Sequence, residues 1–261
     1  NNVTVDIAMN FDFLFDLICT EYPDLLVKQG NTGLKYQDEQ VRDFIEIWIE
    51  AMMEVVSDYK CVQSIMLVNE PNFQPNLYDY YIPFWQDYLK NLYGSIDKLN
   101  ENYGTDYKDF EEVAMPAKIE STPLFYDYRC FTDDLSNTVQ KHMADEVKKI
   151  RPDLKVHSKI MGYLNRMGHN NFIIGQDLEE MSKYMDINGC DAYSGYNKEF
   201  LQEPSKMAWY DFMTSVKDAP VWDTETHILQ DGNTALYDDL AEYFTGSDVW
   251  MGNIHGRGGT V

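Results

Sequence analysis

The 261-residue chain combines 44% hydrophobic and 14% aromatic residues with a formal net charge of −23. This composition predicts a large folded domain with a sizeable core and excludes a disordered linker. The negative charge would repel phosphate backbones and anionic lipid headgroups, so we expect neither nucleic acid nor a membrane as a partner. The acidity itself is typical of a solvated surface that keeps a protein soluble.

Candidate strands alternate with helical stretches along the chain, which is the pattern of a parallel sheet built from βα units. The strands are Val3–Met9, 62–68, 155–160, 186–192 and 220–224, and Gly258–Val261 is typical of the first step of another. A typical complete eight-stranded barrel takes about 250 residues, and the units here are long. We therefore interpret 1–261 as one domain that is truncated at both ends.

Helical periodicity accounts for most of the intervening segments. Asp38 opens an amphipathic helix, and an aromatic helical stretch over Tyr78–Leu99 is broken near Gly94 and Gly104. The remaining predicted helices are Thr132–Ile150, Leu178–Met185, Lys206–Ser215 and Leu236–Ile254.

The cysteines and the amino terminus say little about compartment. Four cysteines lie far apart without a CxxC pair, so we expect buried thiols, no disulfide framework and no metal site: Cys19, Cys61, Cys130 and Cys190. The chain shows neither a signal-peptide profile nor an apolar run long enough to span a membrane. Since Val3–Met9 already resembles a core strand, an export signal could precede it, and the compartment stays open.

Two glutamates follow candidate strands directly. Glu70 lies in Asn69-Glu70-Pro71 after the strand 62–68, and Glu225 follows the strand 220–224. Carboxyl ends of parallel strands meet at one edge of a sheet, where active sites of such folds lie. Cleavage of a glycosidic bond needs two carboxyl groups, one to protonate the leaving oxygen and one to attack or shield the sugar carbon. The pair therefore indicates a glycosidase.

These segments carry a family resemblance. Leu67–Pro71 and Val221–Glu225 resemble the fourth-strand and seventh-strand signatures of the clan A glycoside hydrolases. Tyr93–Asn100 and the stretch from Tyr103 to Pro116 look like the insertion after the fourth strand in the family 42 β-galactosidases. The resemblance implies an α/β fold, a partial (β/α)8 TIM barrel that covers strands three to seven and the start of strand eight. It also implies a retaining β-glycosidase, β-galactosidase-like, that acts on an oligosaccharide or β-glycoside without a cofactor.

The resemblance also implies roles for particular residues. Glu70 matches the general acid/base, Glu225 the nucleophile, and Asn69 the asparagine that binds the sugar 2-hydroxyl. Tyr193 matches a tyrosine that steadies the nucleophile, although Tyr196 lies close enough in the chain to compete.

Four further residues are interpreted from their positions near the ends of predicted strands. His227 could contact substrate or tune the nucleophile, although a lone histidine there is as often structural. Asn10 and Asn165 follow the first and third candidate strands, where barrel loops reach the sugar, and are candidate subsite residues. Trp222 precedes Glu225 by three positions, so strand alternation predicts that it packs between the barrel and its helices.

One alternative stays open at this point: a non-catalytic carbohydrate-binding or scaffold fragment of a barrel. The zinc-binding cysteine cluster of some family 42 members has no counterpart in this sequence. The sequence leaves the sugar, the linkage, exo or endo action and the oligomeric state undecided.

Overall fold

The computed structural model describes residues 3–9, 17–18, 20–27, 33–161, 174–192, 196–197, 200–201, 203–225, 253–255 and 257–260. Six parallel strands form its main sheet: β1 (Val5–Ala8), β2 (Val62–Asn69), β3 (Lys155–Met161), β4 (Asn188–Asp191), β7 (Val221–Glu225) and β8 (Arg257–Thr260). The strands lie in the order β1-β2-β3-β4-β7-β8, and each neighbouring pair is parallel. A separate antiparallel hairpin consists of β5 (Tyr196–Asn197) and β6 (Phe200–Leu201).

The sheet is a partial (β/α)8 barrel, as the strand pattern predicts. Each of the five predicted strands is present, and the sixth begins at Arg257. The helices between the strands are α1 (Glu39–Val56), α2 (Ile82–Tyr93), α3 (Ile96–Tyr103), α4 (Pro123–Ile150), α5 (Leu178–Met181) and α6 (Glu203–Val216). Short 3-10 turns cover Pro23–Leu25, Pro75–Leu77, Asp79–Tyr81 and Phe110–Glu112.

The helix α1 begins where the sequence predicts, because the Asp38 carboxylate accepts a hydrogen bond from the Gln40 amide at 2.9 Å. Its buried side chains recur at helical spacing and face the sheet: Val41, Ile45, Ile49 and Met53. These side chains join the main core with residues from β2, β3 and β7.

The prediction for the start of α4 is wrong, since the helix begins at Pro123 rather than Thr132. The Thr122 hydroxyl accepts a hydrogen bond from the Phe125 amide. Proline fits the first helical position, because an amide there has no partner within the helix. The helix α5 ends at Met181, before the predicted Met185. Of the predicted final helix, the described residues include only 253–254.

The segment between β2 and α4 builds a second hydrophobic cluster of its own. Its buried members come from this segment and from the first half of α4: Tyr81, Trp85, Leu89, Leu99, Val113, Tyr128, Phe131 and Leu135. The hydroxyls of Tyr93 and Tyr103 both donate to Asp127 Oδ2 at 2.6 Å, which ties α2 and α3 to α4. Gly94 and Gly104 end the two helices with φ values of 73° and 68°, where a side chain would be strained.

Two expectations about the wider chain can be compared with the structure. Cys190 is buried and Cys130 is half-buried, but Cys61 is exposed, so the expectation of buried thiols is wrong for Cys61. It lies in the turn just before β2, outside the packed sheet. No helix within the described ranges has both the length and the apolar character needed to cross a bilayer.

Candidate active site

Glu70 lies immediately beyond the end of β2 in a strained backbone conformation. Its φ is 47°, and it is the one non-glycine residue with positive φ in the part of the chain that the structure describes. Its amide donates to the Lys159 carbonyl at 2.9 Å, and the Pro71 carbonyl accepts from Gln176 Nε2 at 2.9 Å. Such conformations cost about 1–3 kcal/mol and concentrate at functional sites, because the surroundings must impose them.

We expect Glu70→Gly to be more stable than Glu70→Ala by about 0.5–1 kcal/mol, because glycine adopts positive φ without a Cβ clash. Both variants lack the carboxyl group, so the comparison isolates the backbone. Urea unfolding of the two variants measures the difference.

The matched control is Glu101, which is exposed in α3. There the order should reverse, with Glu101→Gly less stable than Glu101→Ala by about 1 kcal/mol. If glycine were also the worse residue at position 70, the left-handed conformation of Glu70 would be contradicted.

Glu225 is the last residue of β7, and its Oε2 contacts the Lys159 ammonium. The Lys159 side chain is only 7% exposed, whereas that of Glu225 is 36% exposed. Lys159 therefore joins the two glutamates: its carbonyl accepts the amide of Glu70, and its side chain reaches Glu225. The strand ends that carry the two carboxyl groups meet at this lysine.

Irregularities in the strand register set the direction in which both glutamate side chains point. On β2, Met66 pairs with His157 and Asn69 with Lys159, so β2 has one extra residue. On β7, Asp223 pairs with Cys190 and Glu225 with Asp191, so β7 also has one extra residue. An extra residue reverses the alternation of side chains along a strand, and such irregularities occur beside active sites.

The irregularity in β7 explains why the prediction for Trp222 is wrong. Asp223 points outward to α6, where its carboxylate accepts from the Tyr210 hydroxyl at 2.6 Å and pairs with Lys206 at 3.2 Å. Trp222 points the other way, and its ring centroid lies 5.8 Å from that of His157 inside the barrel. After the extra residue, Glu225 shares the inner face with Trp222.

A polar layer lies inside the barrel around His157, which precedes Lys159 by two residues on β3. His157 Nε2 lies 3.1 Å from both oxygens of Asp6, and the Ser64 hydroxyl donates to Asp6 at 2.6 Å. Burial alone would raise the pKa of Asp6, but the hydrogen bonds and charge of His157, together with Ser64, hold it below its ordinary value. Gly189 is required beside this layer, because a Cβ there would lie 2.5 Å from His157 Nδ1.

Glu70, Glu225 and Asn69 each border Lys159: Glu70 through its amide, Glu225 through its carboxylate, and Asn69, which is exposed at the end of β2, through its place opposite Lys159 in the register. The other predicted site residues, Asn10, Asn165, Tyr193 and His227, lie outside the described residues. Sequence reasoning missed Lys159. A signal was available, since His157 and Lys159 are polar residues two positions apart in one strand and so share a face.

Comparison with known proteins decides the family. The model of the glycoside hydrolase family 42 group, described as β-galactosidase, matches residues 26–239. The chain belongs to glycoside hydrolase family 42. The predicted relationship to the clan A hydrolases is thereby confirmed.

Curated relatives of this family 42 chain include β-galactosidases of bacteria. β-Galactosidase LacZ of Heyndrickxia coagulans is 26% identical over 164 residues, which are 59% of this chain and 24% of the relative. β-Galactosidase YesZ of Bacillus subtilis is 30% identical over 119 residues, which are 42% of this chain and 16% of the relative. The chain thus matches a quarter or less of the length of these relatives.

Solved structures agree on the fold. An exo-carrageenase of family 42 from Bacteroides ovatus superposes with a TM-score of 0.75 at 24% identity, over 94% of this chain and 37% of that one. The β-galactosidase from Rahnella sp. R3 gives a TM-score of 0.70 at 15% identity, over 93% of this chain and 37% of that one. Both likenesses support the partial barrel.

One group in the described part of this family 42 chain could hold a metal ion. Single ligand atoms of Glu46, His142 and Glu146 all lie within 4.8 Å of one another on α1 and α4. His142 already lies 3.2 Å from Glu46, and Glu146 pairs with Lys149, so contacts within the chain already engage these side chains. The cluster lies on the helices, away from the strand ends that carry Glu70 and Glu225.

Proposed function

We propose that this chain carries the catalytic centre of a retaining β-glycosidase, β-galactosidase-like, with Glu225 as nucleophile and Glu70 as general acid/base. The observation that carries the proposal is that Lys159 contacts both residues, the Glu70 amide through its carbonyl and the Glu225 carboxylate through its ammonium. Membership of family 42 supports a β-glycoside as the substrate class. The names of the curated relatives LacZ and YesZ favour galactose as the sugar.

In the first half-reaction, the Glu225 carboxylate attacks the anomeric carbon while the bond from that carbon to the leaving oxygen breaks. Glu70 donates its proton to that oxygen, which departs as an alcohol. The products are an ester between the sugar and Glu225, the free alcohol, and Glu70 as a carboxylate.

In the second half-reaction, Glu70 accepts a proton from water as the water oxygen attacks the anomeric carbon. The ester bond to Glu225 breaks, and the electron pair returns to its carboxylate. Two inversions at one carbon give net retention. Esterification of Glu225 removes a negative charge near Glu70, which favours the change of Glu70 from acid to base.

Asn69 is the residue next to the acid, and we assign its amide to the 2-hydroxyl of the bound sugar. This hydrogen bond would strengthen as positive charge develops at the neighbouring carbon in the transition state. Tyr193, His227, Asn10 and Asn165 stay candidate contacts to the sugar or to Glu225.

The test is turnover of a chromogenic aryl β-galactoside by the wild-type protein and by Glu225→Ala. We expect turnover by the wild type and a loss of about a thousandfold or more in Glu225→Ala, as removal of a covalent nucleophile entails. Glu101→Ala is the control for loss of an acidic side chain, since Glu101 is exposed on α3, and it should keep wild-type turnover.

Two results would contradict the proposal. Turnover that survives in Glu225→Ala would remove the assigned nucleophile. Saturable binding of a β-galactoside by a wild-type protein that never turns it over would favour the alternative, a non-catalytic carbohydrate-binding barrel.

A further inference from the structure

We infer that Lys159 is a positioning residue for the nucleophile: its buried ammonium fixes the orientation of Glu225 and keeps that carboxyl group charged. The inference rests on the proposed function, because it assigns Lys159 a task within the same site. It goes beyond that function in naming a residue on β3 that acts through Glu225 rather than on the sugar.

The burial of Lys159 is the first support. A lysine whose side chain is 7% exposed must have its charge compensated, because an isolated buried ammonium is strongly disfavoured. Its ammonium contacts Glu225 Oε2, and the lysine reaches across β4 to do so, since β3 and β7 are not neighbours in the sheet. A contact between non-adjacent strands on the inner face restricts the Glu225 side chain to one orientation.

The charges around Glu225 are the second support. Asp191 lies opposite Glu225 in the β4–β7 register and is fully buried, and Glu70 follows β2, which pairs with β3 on the far side of Lys159. Asp223 precedes Glu225 by two residues but faces α6, where it pairs with Lys206. On the inner face, then, Glu225 lies beside the carboxyl group of Asp191, and like charges favour protonation of one of them. The ammonium of Lys159 opposes that tendency at the residue that must stay ionised to attack.

The pair of Lys159 with Glu225 differs in exposure from the pair of Lys206 with Asp223, which is purely structural. Lys206 and Asp223 have side chains that are 1% and 0% exposed, so that pair is sealed between strand and helix. In the inner pair the lysine is also buried, at 7% exposed, but Glu225 keeps an exposed fraction of 36%. Lys159 thus pairs with a carboxylate, that of Glu225, which stays accessible to a sugar.

The same lysine should assist the second half-reaction. When water attacks the sugar, Glu225 departs as a carboxylate, and a fixed cation stabilises negative charge that develops at its oxygen. The Glu70 amide donates to the backbone carbonyl of Lys159, so substitution of the Lys159 side chain leaves this hydrogen bond in place. The side-chain variants therefore report on Glu225 alone.

The direct test needs no turnover. The carboxyl carbon of Glu225 is followed by 13C NMR as a function of pH in the wild type, in Lys159→Met and in Lys159→Arg, with the signal assigned by its loss in Glu225→Gln. We expect the titration midpoint of Glu225 to rise by about one pH unit or more in Lys159→Met, since the opposite charge has gone. Lys159→Arg should keep the midpoint near the wild-type value.

Lys155→Met is the matched control, because Lys155 lies on the same strand but is 58% exposed and 3.9 Å from Asp186. It should leave the Glu225 titration unchanged. A midpoint in Lys159→Met equal to that of the wild type would overturn the inference. Should Lys159→Met fail to fold, Lys159→Gln, which keeps a polar side chain, is titrated with the same two outcomes.

Kinetics separate this inference from the proposed function. In Lys159→Met we expect kcat/KM for an aryl β-galactoside to fall about tenfold to a hundredfold, with the acidic limb of its pH profile moved to higher pH, and partial recovery in Lys159→Arg. Loss of turnover in Glu225→Ala with an unchanged profile in Lys159→Met would overturn the role of Lys159 alone. Survival of turnover in Glu225→Ala would overturn the proposed function, whatever the NMR titration shows.

Discussion

In Glu70→Ala, the rate of hydrolysis of an alkyl β-galactoside should fall by about 10²–10⁴-fold. The same variant should still cleave a dinitrophenyl galactoside and form the covalent intermediate. The alkoxide leaving group needs the proton of Glu70, whereas dinitrophenolate departs without one. The intermediate then accumulates, because no base activates water for its hydrolysis. Stopped-flow absorbance should show a burst of dinitrophenolate followed by a slow steady rate.

Added azide distinguishes the roles of the two glutamates. Azide needs no base, so it should accelerate the slow phase in Glu70→Ala and give a β-galactosyl azide, with the configuration of the substrate. In Glu225→Ala, azide would take the place of the nucleophile and give the α-azide. Proton NMR of the products identifies each anomer. Equal losses for both leaving groups in Glu70→Ala, with no effect of azide, would contradict its assignment as acid/base.

The second large effect concerns stability. Lys206→Met should lower the free energy of unfolding at pH 7 by about 3–5 kcal/mol, because it leaves the Asp223 carboxylate buried without its cation. Burial raises the pKa of Asp223, while Lys206, the Tyr210 hydroxyl and the Ala192 amide lower it. Removal of Lys206 therefore raises that pKa further. A raised folded-state pKa costs stability as the pH rises, so the deficit should shrink when the pH falls and Asp223 takes up a proton.

Urea unfolding at pH 7 and at pH 5 measures the deficit and its pH dependence. The control is Lys183→Met, which breaks a pair with Glu180 whose side chains are 63% and 44% exposed, and should cost less than about 1 kcal/mol. The double variant Lys206→Met with Asp223→Asn should regain part of the loss, since no buried charge is left unpaired. A deficit in Lys206→Met as small as that of Lys183→Met would contradict the assigned pair.

Local sequence predicts the strands and the position of the two glutamates at strand ends, for a physical reason. The strand β2 contains the apolar run 65–68, Glu70 lies just beyond its end, and Glu225 is the last residue of β7. Because parallel strands end at one edge of the sheet, the order of the elements already places both carboxyl groups at that edge. The family resemblance adds their roles, which no periodicity contains.

Features that depend on neighbouring strands are not predicted. The extra residue in β7 appears only when β7 pairs with β4, and it turns Trp222 inward against the expectation from simple alternation. Lys159 reaches Glu225 because the curved sheet brings β3 and β7 together across β4, which the sequence of β3 alone does not express.

The early start of α4 illustrates another limit. Asp127 and Thr132 are polar yet buried, since Asp127 accepts hydrogen bonds from Tyr93 and Tyr103 and the Thr132 hydroxyl donates to the Tyr128 carbonyl. Buried polar residues obscure the apolar periodicity on which helix prediction depends. The signal that marks the start is instead Thr122 followed by Pro123.

Covalent trapping tests the central claim most directly. A 2-deoxy-2-fluoro-galactoside with an activated leaving group should form a stable ester with the nucleophile, because the fluorine slows hydrolysis of the intermediate. Peptide mapping by mass spectrometry should place the added fluorosugar on Glu225. A label on Glu70 instead, or an active protein that never becomes labelled and releases a product of inverted configuration, would contradict the account.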